Sequence, residues 1–362
     1  MTLGLTMIVK NESEVLARAL DGVKDIADEI VIVDTGSTDN TVEIARKYTD
    51  KVYTFDWISD FSVARNFGIS KLTTDYFMWL DADDIVPQST ALEISRLMRK
   101  RSMTADIIMM PYVTATDKQG NPTFLYHRER ILRHTPQNIF KGAVHEAVEL
   151  DGKIITLNFP IVHSKPKDRD NGTRNLDIYE RLLNGGHELT PRERYYYARE
   201  LLYNGRTSDA ANELAIFIHG DGGFTQNKAD ACLLLSECYG SLGDGESAMQ
   251  AALYRFNFTP PDGEGCCRIA ALFFDRGDYM TAAYWYKLAL RCKPNINSGA
   301  FVQADYYGLI PLVWLSVCYD RLGDIKKAYG YHRRAKKIRP SDKSVIANDA
   351  YFASKGYKDV YI

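Results

Sequence analysis

No stretch of about 18 consecutive apolar residues occurs in the chain, so no membrane-spanning helix is expected. A surplus of basic charge is also missing. Lys and Arg number 45 against 47 Asp and Glu, giving a net charge of −2. That balance leaves no electrostatic footprint for nucleic acid, and none is expected as a partner. Cysteine is scarce and confined to the second half, at Cys232, Cys238, Cys266, Cys267, Cys292 and Cys318. No CxxC pair occurs, which argues against zinc-finger and dithiol redox motifs, and the adjacent Cys266 and Cys267 make poor partners. Reduced core thiols in a cytoplasmic protein are the expectation. The opening "MTLGLTMIVKNESE" lacks the basic start and long apolar stretch of a signal peptide and reads as a first strand. Hydrophobic residues at 45% and charged residues at 25% leave no long span that must stay disordered.

The 362 residues suffice for two domains of about 100–200 residues each. Up to about residue 165, short β-branched apolar runs such as "LGLTMIV" and "EIVIVD" alternate with helical stripes. Such runs suit strands covered on both faces, and the alternation implies a mostly parallel, doubly wound α/β sheet. After about residue 105, segments such as "ADIIMMPYVTAT" and "KIITLNFPIVHS" predict a meander of strands.

Residues 166–362 read as helical and repetitive. Gly205, Gly243, Gly277 and Gly323 each sit between an apolar helix end and a helix with small residues near its start. Their spacings are 38, 34 and 46, and the 34-residue interval matches a tetratricopeptide-type unit. Stacked units of this kind form a solenoid with a concave face. The polar, turn-rich "HSKPKDRDNGT" places the boundary at 165/166. Rings at helical spacing, among them Tyr195, Tyr196, Tyr284 and Trp285, are mostly core, with some expected to reach the concave face.

"YFMWLDADDIVP", residues 76–87, runs five bulky apolar residues straight into Asp81, Asp83 and Asp84. "EIVIVD" ends likewise at Asp34, 47 residues earlier. Ligands of open parallel sheets bind outside the carboxyl ends of the strands. Carboxylates gathered there repel one another beside an apolar wall and call for a cation. A hard divalent ion with oxygen ligands, Mn²⁺ or Mg²⁺, suits them and commonly meets a phosphate. Arg65 in "VARNFGI" is able to meet a diphosphate. The plainer reading of each element is a capped turn after Asp34 and a solvated acidic loop at 81–84.

"MIVKNE", "VIVDTGSTDNT", "ARNFGI" and "WLDADD", in this order, resemble the family 2 glycosyltransferases of GT-A fold over roughly residues 1–165. With the helical repeats, the chain is similar to bacterial family 2 enzymes carrying tetratricopeptide repeats, a neighbourhood that includes the sublancin-type peptide S-glycosyltransferases. The resemblance implies a GT-A domain at 1–165 and a repeat domain at 166–362. It implies a nucleotide-sugar donor, UDP-linked, held by Val9, Lys10, Asn11, Glu12, Asp34, Arg65, Asn66 and Asp81, with Asp83, Asp81 and His163 as metal ligands. Many members carry Thr-Tyr where Val9 and Lys10 stand, and a second Asp where Thr35 stands. The adjacent His145 and Glu146 of "FKGAVHEAVE" resemble the family's "HE" segment. An inverting transfer needs a general base, with Glu146 the first choice and His145 the second. Arg130 and Arg133 of "ERILRH" either bind phosphate or brace the acceptor loop. The implied acceptor is a peptide or protein side chain, and a homo-oligomer is compatible with the repeats. Alternatives are a glycan or lipid-linked glycan acceptor, or a repeat scaffold with an inactive transferase half. A sugar nucleotidyltransferase would need a Gly-rich basic loop where "VKNESE" stands.

Overall fold

The computed structural model describes residues 1–100, 103–165, 172–295 and 301–357. They form two compact units, one of residues 1–115 with 125–189 and one of 116–124 with 190–362.

The first unit begins β1 (Leu3–Val9), α1 (Leu16–Asp21), β2 (Glu29–Asp34), α2 (Thr41–Ala45), β3 (Val52–Thr54), α3 (Phe61–Ile69) and β4 (Tyr76–Trp79). It continues β5 (Asp84–Ile85), α4 (Gln88–Met98), β6 (Ile107–Thr116), β7 (Pro122–Arg133), β8 (Phe140–Lys141), β9 (Ala147–Val148), β10 (Ile154–Thr156), β11 (Ile161–His163) and α5 (Arg174–Asn184). The main sheet runs β3-β2-β1-β4-β7-β6-β11-β5, with β10 beside β6. β1 pairs in parallel with both β2 and β4, and β2 with β3, whereas β7 lies antiparallel to β4. Parallel pairing brings Val9, Asp34 and the residues after Trp79 to one edge.

The strands are apolar on both faces because both faces are covered. Ile30, Ile32, Tyr76 and Met78 join one core cluster, while the alternate residues Val31, Val33, Phe77 and Trp79 join another. The period of two thus sorts each strand between two layers. α3 rests on the second face. Asp60 caps it by accepting from the Val63 amide, 3.0 Å away. Gly68 brings its backbone close to the sheet, where a Cβ would lie 2.3 Å from Thr6 Oγ1 and 3.0 Å from Val33 Cγ2.

The second unit is helical: α6 (Pro191–Tyr203), α7 (Thr207–His219), α8 (Thr225–Ser241), α9 (Gly245–Tyr254), α10 (Gly263–Asp275), α11 (Tyr279–Ala289), α12 (Leu309–Arg321), α13 (Ile325–Ile338) and α14 (Lys343–Ser354). Gly205, Gly243, Gly277 and Gly323 turn the chain between paired helices with φ of 75–83°, a region that suits residues without a Cβ. After the last three, Asp244, Asp278 and Asp324 cap the following helix through the amides of Ser247, Thr281 and Lys327. An α/β domain followed by an all-α repeat unit is therefore the architecture. The cysteines are free thiols, all buried except the half-buried Cys292. Among the described residues no helix is long and apolar enough to cross a membrane. Of the rings read at helical spacing, Tyr195 is fully buried, donating to Asp230 at 2.6 Å, whereas Tyr284 is exposed.

Gly68→Ala should destabilise the first unit by about 1–3 kcal/mol through overpacking against β1 and β2. Thermal melting checks this, and an unchanged Tm would mean that α3 shifts without strain.

Candidate active site

A cavity of about 600 Å³ opens at the carboxyl edge of β1 and β4. The turn after β1 supplies Val9, Lys10, Asn11 and Glu12, the end of β4 supplies Asp81 and Asp83, and α3 supplies Arg65. Loop residues His145 and Glu146, together with His163 at the end of β11, also line it. Two expected nucleotide contacts do not line the cavity. Asp34 is buried and accepts from the amides of Gly36 and Ser37, closing the turn after β2. Asn66 clasps Phe140, donating to its carbonyl at 2.9 Å and accepting from its amide at 2.8 Å. That double bond fixes β8 against α3.

Arg65 is the electrostatic centre. Its Nε donates to Glu146 Oε1 at 2.5 Å and its Nη2 to Asp81 Oδ1 at 2.7 Å. The guanidinium lies 4.6 Å from the centre of the Trp79 ring. Burial works against its charge, but Asp81 and Glu146 outweigh that and raise its pKa. Burial alone would raise the Asp81 pKa, yet Arg65 and Arg130 hold it down at about 2.

Asp84 is not a cavity residue. It is fully buried, accepting from Tyr112 Oη at 2.8 Å, Arg130 Nη1 at 3.0 Å and the Asp81 amide at 3.0 Å. Arg130, itself fully buried, stacks over Trp79 at 4.0 Å and Tyr112 at 4.2 Å. It braces the acidic loop. Arg133 binds Asp106 at 2.8 Å, on the far end of β7. Neither lines the cavity.

Asp83, Asp84 and His163 bring ligand-type atoms within 4.8 Å of one another. His163 Nδ1 lies 3.3 Å from Asp83 Oδ1 and 2.9 Å from Tyr112 Oη. Carboxylate oxygen with one imidazole is a donor set that suits Mn²⁺ or Mg²⁺. Asp84 is already engaged, so Asp83 and His163 are the residues fitted to hold a cation. Asp81 stands outside this cluster, on Arg65. Burial alone would lower the His163 pKa, but the two carboxylates override it and push it up to about 10.

The cavity also takes in Trp57, Phe61, Arg128, Lys165, Arg174 and Asn175. The sequence reading missed these. Trp57, in the loop before α3, and Phe61, the first residue of that helix, meet edge to face at 4.7 Å. Arg174 lies 4.9 Å over Phe61. Arg181, two turns further along α5, donates to Ser59 Oγ at 2.6 Å, and Ser59 has a φ of 65°. α5 thereby fastens the loop that presents Trp57.

The cavity lies at the carboxyl edge of a mostly parallel sheet, where open α/β sheets bind their ligands, with the Asp83–His163 pair beside it. Residues 5–148, within the first unit, match the family described as Glycosyl transferase family 2. Over 248 residues the chain is 26% identical to the SPbeta prophage-derived glycosyltransferase SunS of Bacillus subtilis, a match covering 65% of this chain and 58% of that one. It is 34% identical over 145 residues to a TPR repeat-containing protein of Synechococcus elongatus, covering 40% and 35% of the two chains. It is 39% identical over 88 residues to an uncharacterized glycosyltransferase of Rickettsia conorii, covering 24% and 31%. The chain thus spans less than two thirds of the length of each of these relatives.

With a pKa of about 10, His163 carries a proton at neutral pH when no cation is bound. A cation taking the ring nitrogen must displace that proton, so apparent Mn²⁺ affinity should rise with pH through the neutral range. Calorimetry in buffers of different ionisation enthalpy should record about one proton released per ion, and none for His163→Gln. Equal release from both proteins would remove His163 from the site.

Proposed function

We propose that the protein transfers one sugar from a UDP-sugar to a polypeptide side chain, with inversion at the anomeric carbon and with a divalent cation bound. The observation that carries the reading is the Arg65 bridge between Asp81 and Glu146, set beside Asp83 and His163 in one cavity. In this reading Arg65 would meet the diphosphate beside the Asp83–His163 pair that would hold the cation. The turn after β1, from Val9 to Glu12, would hold the nucleoside. When bound at Asp83 and His163, the metal would neutralise charge developing on the departing diphosphate.

Glu146 stood ahead of His145 as base on sequence grounds. The geometry favours the reverse order. Glu146 Oε1 accepts from the buried Arg65 guanidinium at 2.5 Å and is committed to that pair. Glu146 is therefore read as the group that positions Arg65. His145 lines the cavity and holds a left-handed backbone with φ of 53°, a conformation that costs a non-glycine residue about 1 kcal/mol and collects at working sites. In this reading the imidazole takes the proton of the acceptor hydroxyl or thiol. The nucleophile bonds to the anomeric carbon as the bond to the diphosphate breaks on the opposite face. The helical repeats favour an extended acceptor, since donor binding needs only the first unit.

Two measurements test this. UDP should raise Tm clearly with Mn²⁺ and weakly in chelator, and Asp83→Asn should remove most of the metal-dependent part. A full shift in chelator would overturn the metal requirement. His145→Ala should lower transfer by about 10²–10⁴-fold with UDP affinity intact, the usual range for a lost general base. Glu146→Gln should weaken UDP binding as well, because Arg65 loses its anchor. Loss of transfer in Glu146→Gln alone, with normal UDP affinity, would return the base to Glu146.

A further inference from the structure

β11 lies between β6 and β5. Ile161 is the register partner of Tyr112 on β6, and His163 is the register partner of Asp84 on β5. Residues two apart on a strand share a face, so Tyr112, His163 and Asp84 stand on one side of the sheet. Tyr112 is buried. The Arg130 guanidinium covers its ring at 4.2 Å, and Tyr126 meets that ring edge to face at 5.6 Å. So held, the Tyr112 hydroxyl lies 2.8 Å from Asp84 Oδ1 and 2.9 Å from His163 Nδ1.

Counting hydrogens assigns the direction of each bond. A phenol has one hydrogen to donate, and a carboxylate only accepts. Asp84 Oδ2 is taken by Arg130 Nη1 and the Asp81 amide, both at 3.0 Å, so the carboxylate cannot turn and Oδ1 is left to Tyr112. The hydroxyl hydrogen therefore lies toward Asp84, and the phenol oxygen accepts from His163. Asp83 Oδ1 at 3.3 Å and Asp84 Oδ1 at 3.4 Å flank the same ring nitrogen. A bare Nδ1 would aim its lone pair at three oxygen atoms, whereas an Nδ1–H suits all three. In a neutral imidazole the lone pair is then on Nε2.

We propose that Tyr112 is a positioning residue of the cation site, holding His163 as the Nδ1–H tautomer so that Nε2 binds the ion together with Asp83. The inference rests on the reading that Asp83 and His163 hold the cation. Arg130, Asp84 and Tyr112 form a line of buried groups, each fixed by the one before it, that ends on the imidazole. A ring oriented in this way needs no turn when the ion arrives, and the hydrogen bond it donates raises its basicity as a ligand. This also gives Asp84 a use: it faces away from the cavity and directs a neighbour that lines it.

The test uses the full chain labelled with nitrogen-15 histidine. Long-range proton–nitrogen NMR spectra are compared with UDP in chelator and with UDP and Mg²⁺, and His163→Gln identifies the His163 signals. With the ion, His163 should show a protonated Nδ1 and an Nε2 without hydrogen. This measurement needs no variant at Tyr112. Tyr112→Phe should in addition weaken Mn²⁺ binding about tenfold, read from the electron paramagnetic resonance of the free ion, the lower end for a lost partner of a metal-binding histidine. UDP affinity in chelator should stay unchanged. A hydroxyl that only braces the fold would cost stability and leave Mn²⁺ affinity as it was, and that result would overturn the proposal. A His163 ring with bare Nδ1 and protonated Nε2 would overturn it too, leaving Asp83 and His163 as ligands. His163 signals that do not respond to the ion would overturn the cation reading itself.

Discussion

The charge balance around Trp79 is the interaction on which the first unit depends. Asp81, Asp83 and Asp84 follow directly from a fully buried strand, and Asp84 is wholly out of solvent. Ionised carboxylates in such a place are costly unless paired and hydrogen-bonded. Arg65 pairs with Asp81 and Arg130 with Asp84, and with Arg128 these guanidinium groups gather on one indole. Arg65, Arg128 and Arg130 lie 4.6, 4.8 and 4.0 Å from the Trp79 ring centre. Planar, delocalised guanidinium groups can stack and donate in the same pose, which an ammonium cannot. Trp79 is itself fixed by its N–H bond to the Glu129 carbonyl at 2.5 Å.

Several distant segments are tied to this centre. α3 carries Arg65, and β7 carries Arg128 and Arg130. The Phe61 amide donates to the Ala143 carbonyl at 2.8 Å, joining the start of α3 to the loop bearing His145 and Glu146. Asn66 locks β8 to the same helix. The cavity walls are therefore fastened to one another as well as to the sheet.

Much of this was legible in sequence. Buried strands ending in Asp pointed to the edge at which this cavity lies, and Arg65, Asp83, His145, Glu146 and His163 all line it. Glycines spaced along the second half marked helix turns. What escaped was the use to which each polar group is put. Asp34 and Asn66 have residue types that suit a nucleotide, but nearby backbone amides and carbonyls claim them first. Arg174 and Asn175 were invisible because α5 lies far along the chain from α3, and only folding brings them to the same wall. Tyr195 is a periodic aromatic like its neighbours, and periodicity alone does not distinguish a ring anchored on Asp230 from one facing a groove.

The Arg65 fork has a consequence for how ligands communicate. One side of the fork holds the acidic loop after β4 and the other holds the loop of His145, so neither loop can change its electrostatic state alone. A ligand that redirects Asp81 strengthens the remaining hold on Glu146, and a ligand that engages Glu146 changes the field at Asp81. Linkage requires the two effects on binding free energy to be equal. Coupling between two ligands in this site would then run through a single side chain, readable as equal and reciprocal changes in two dissociation constants.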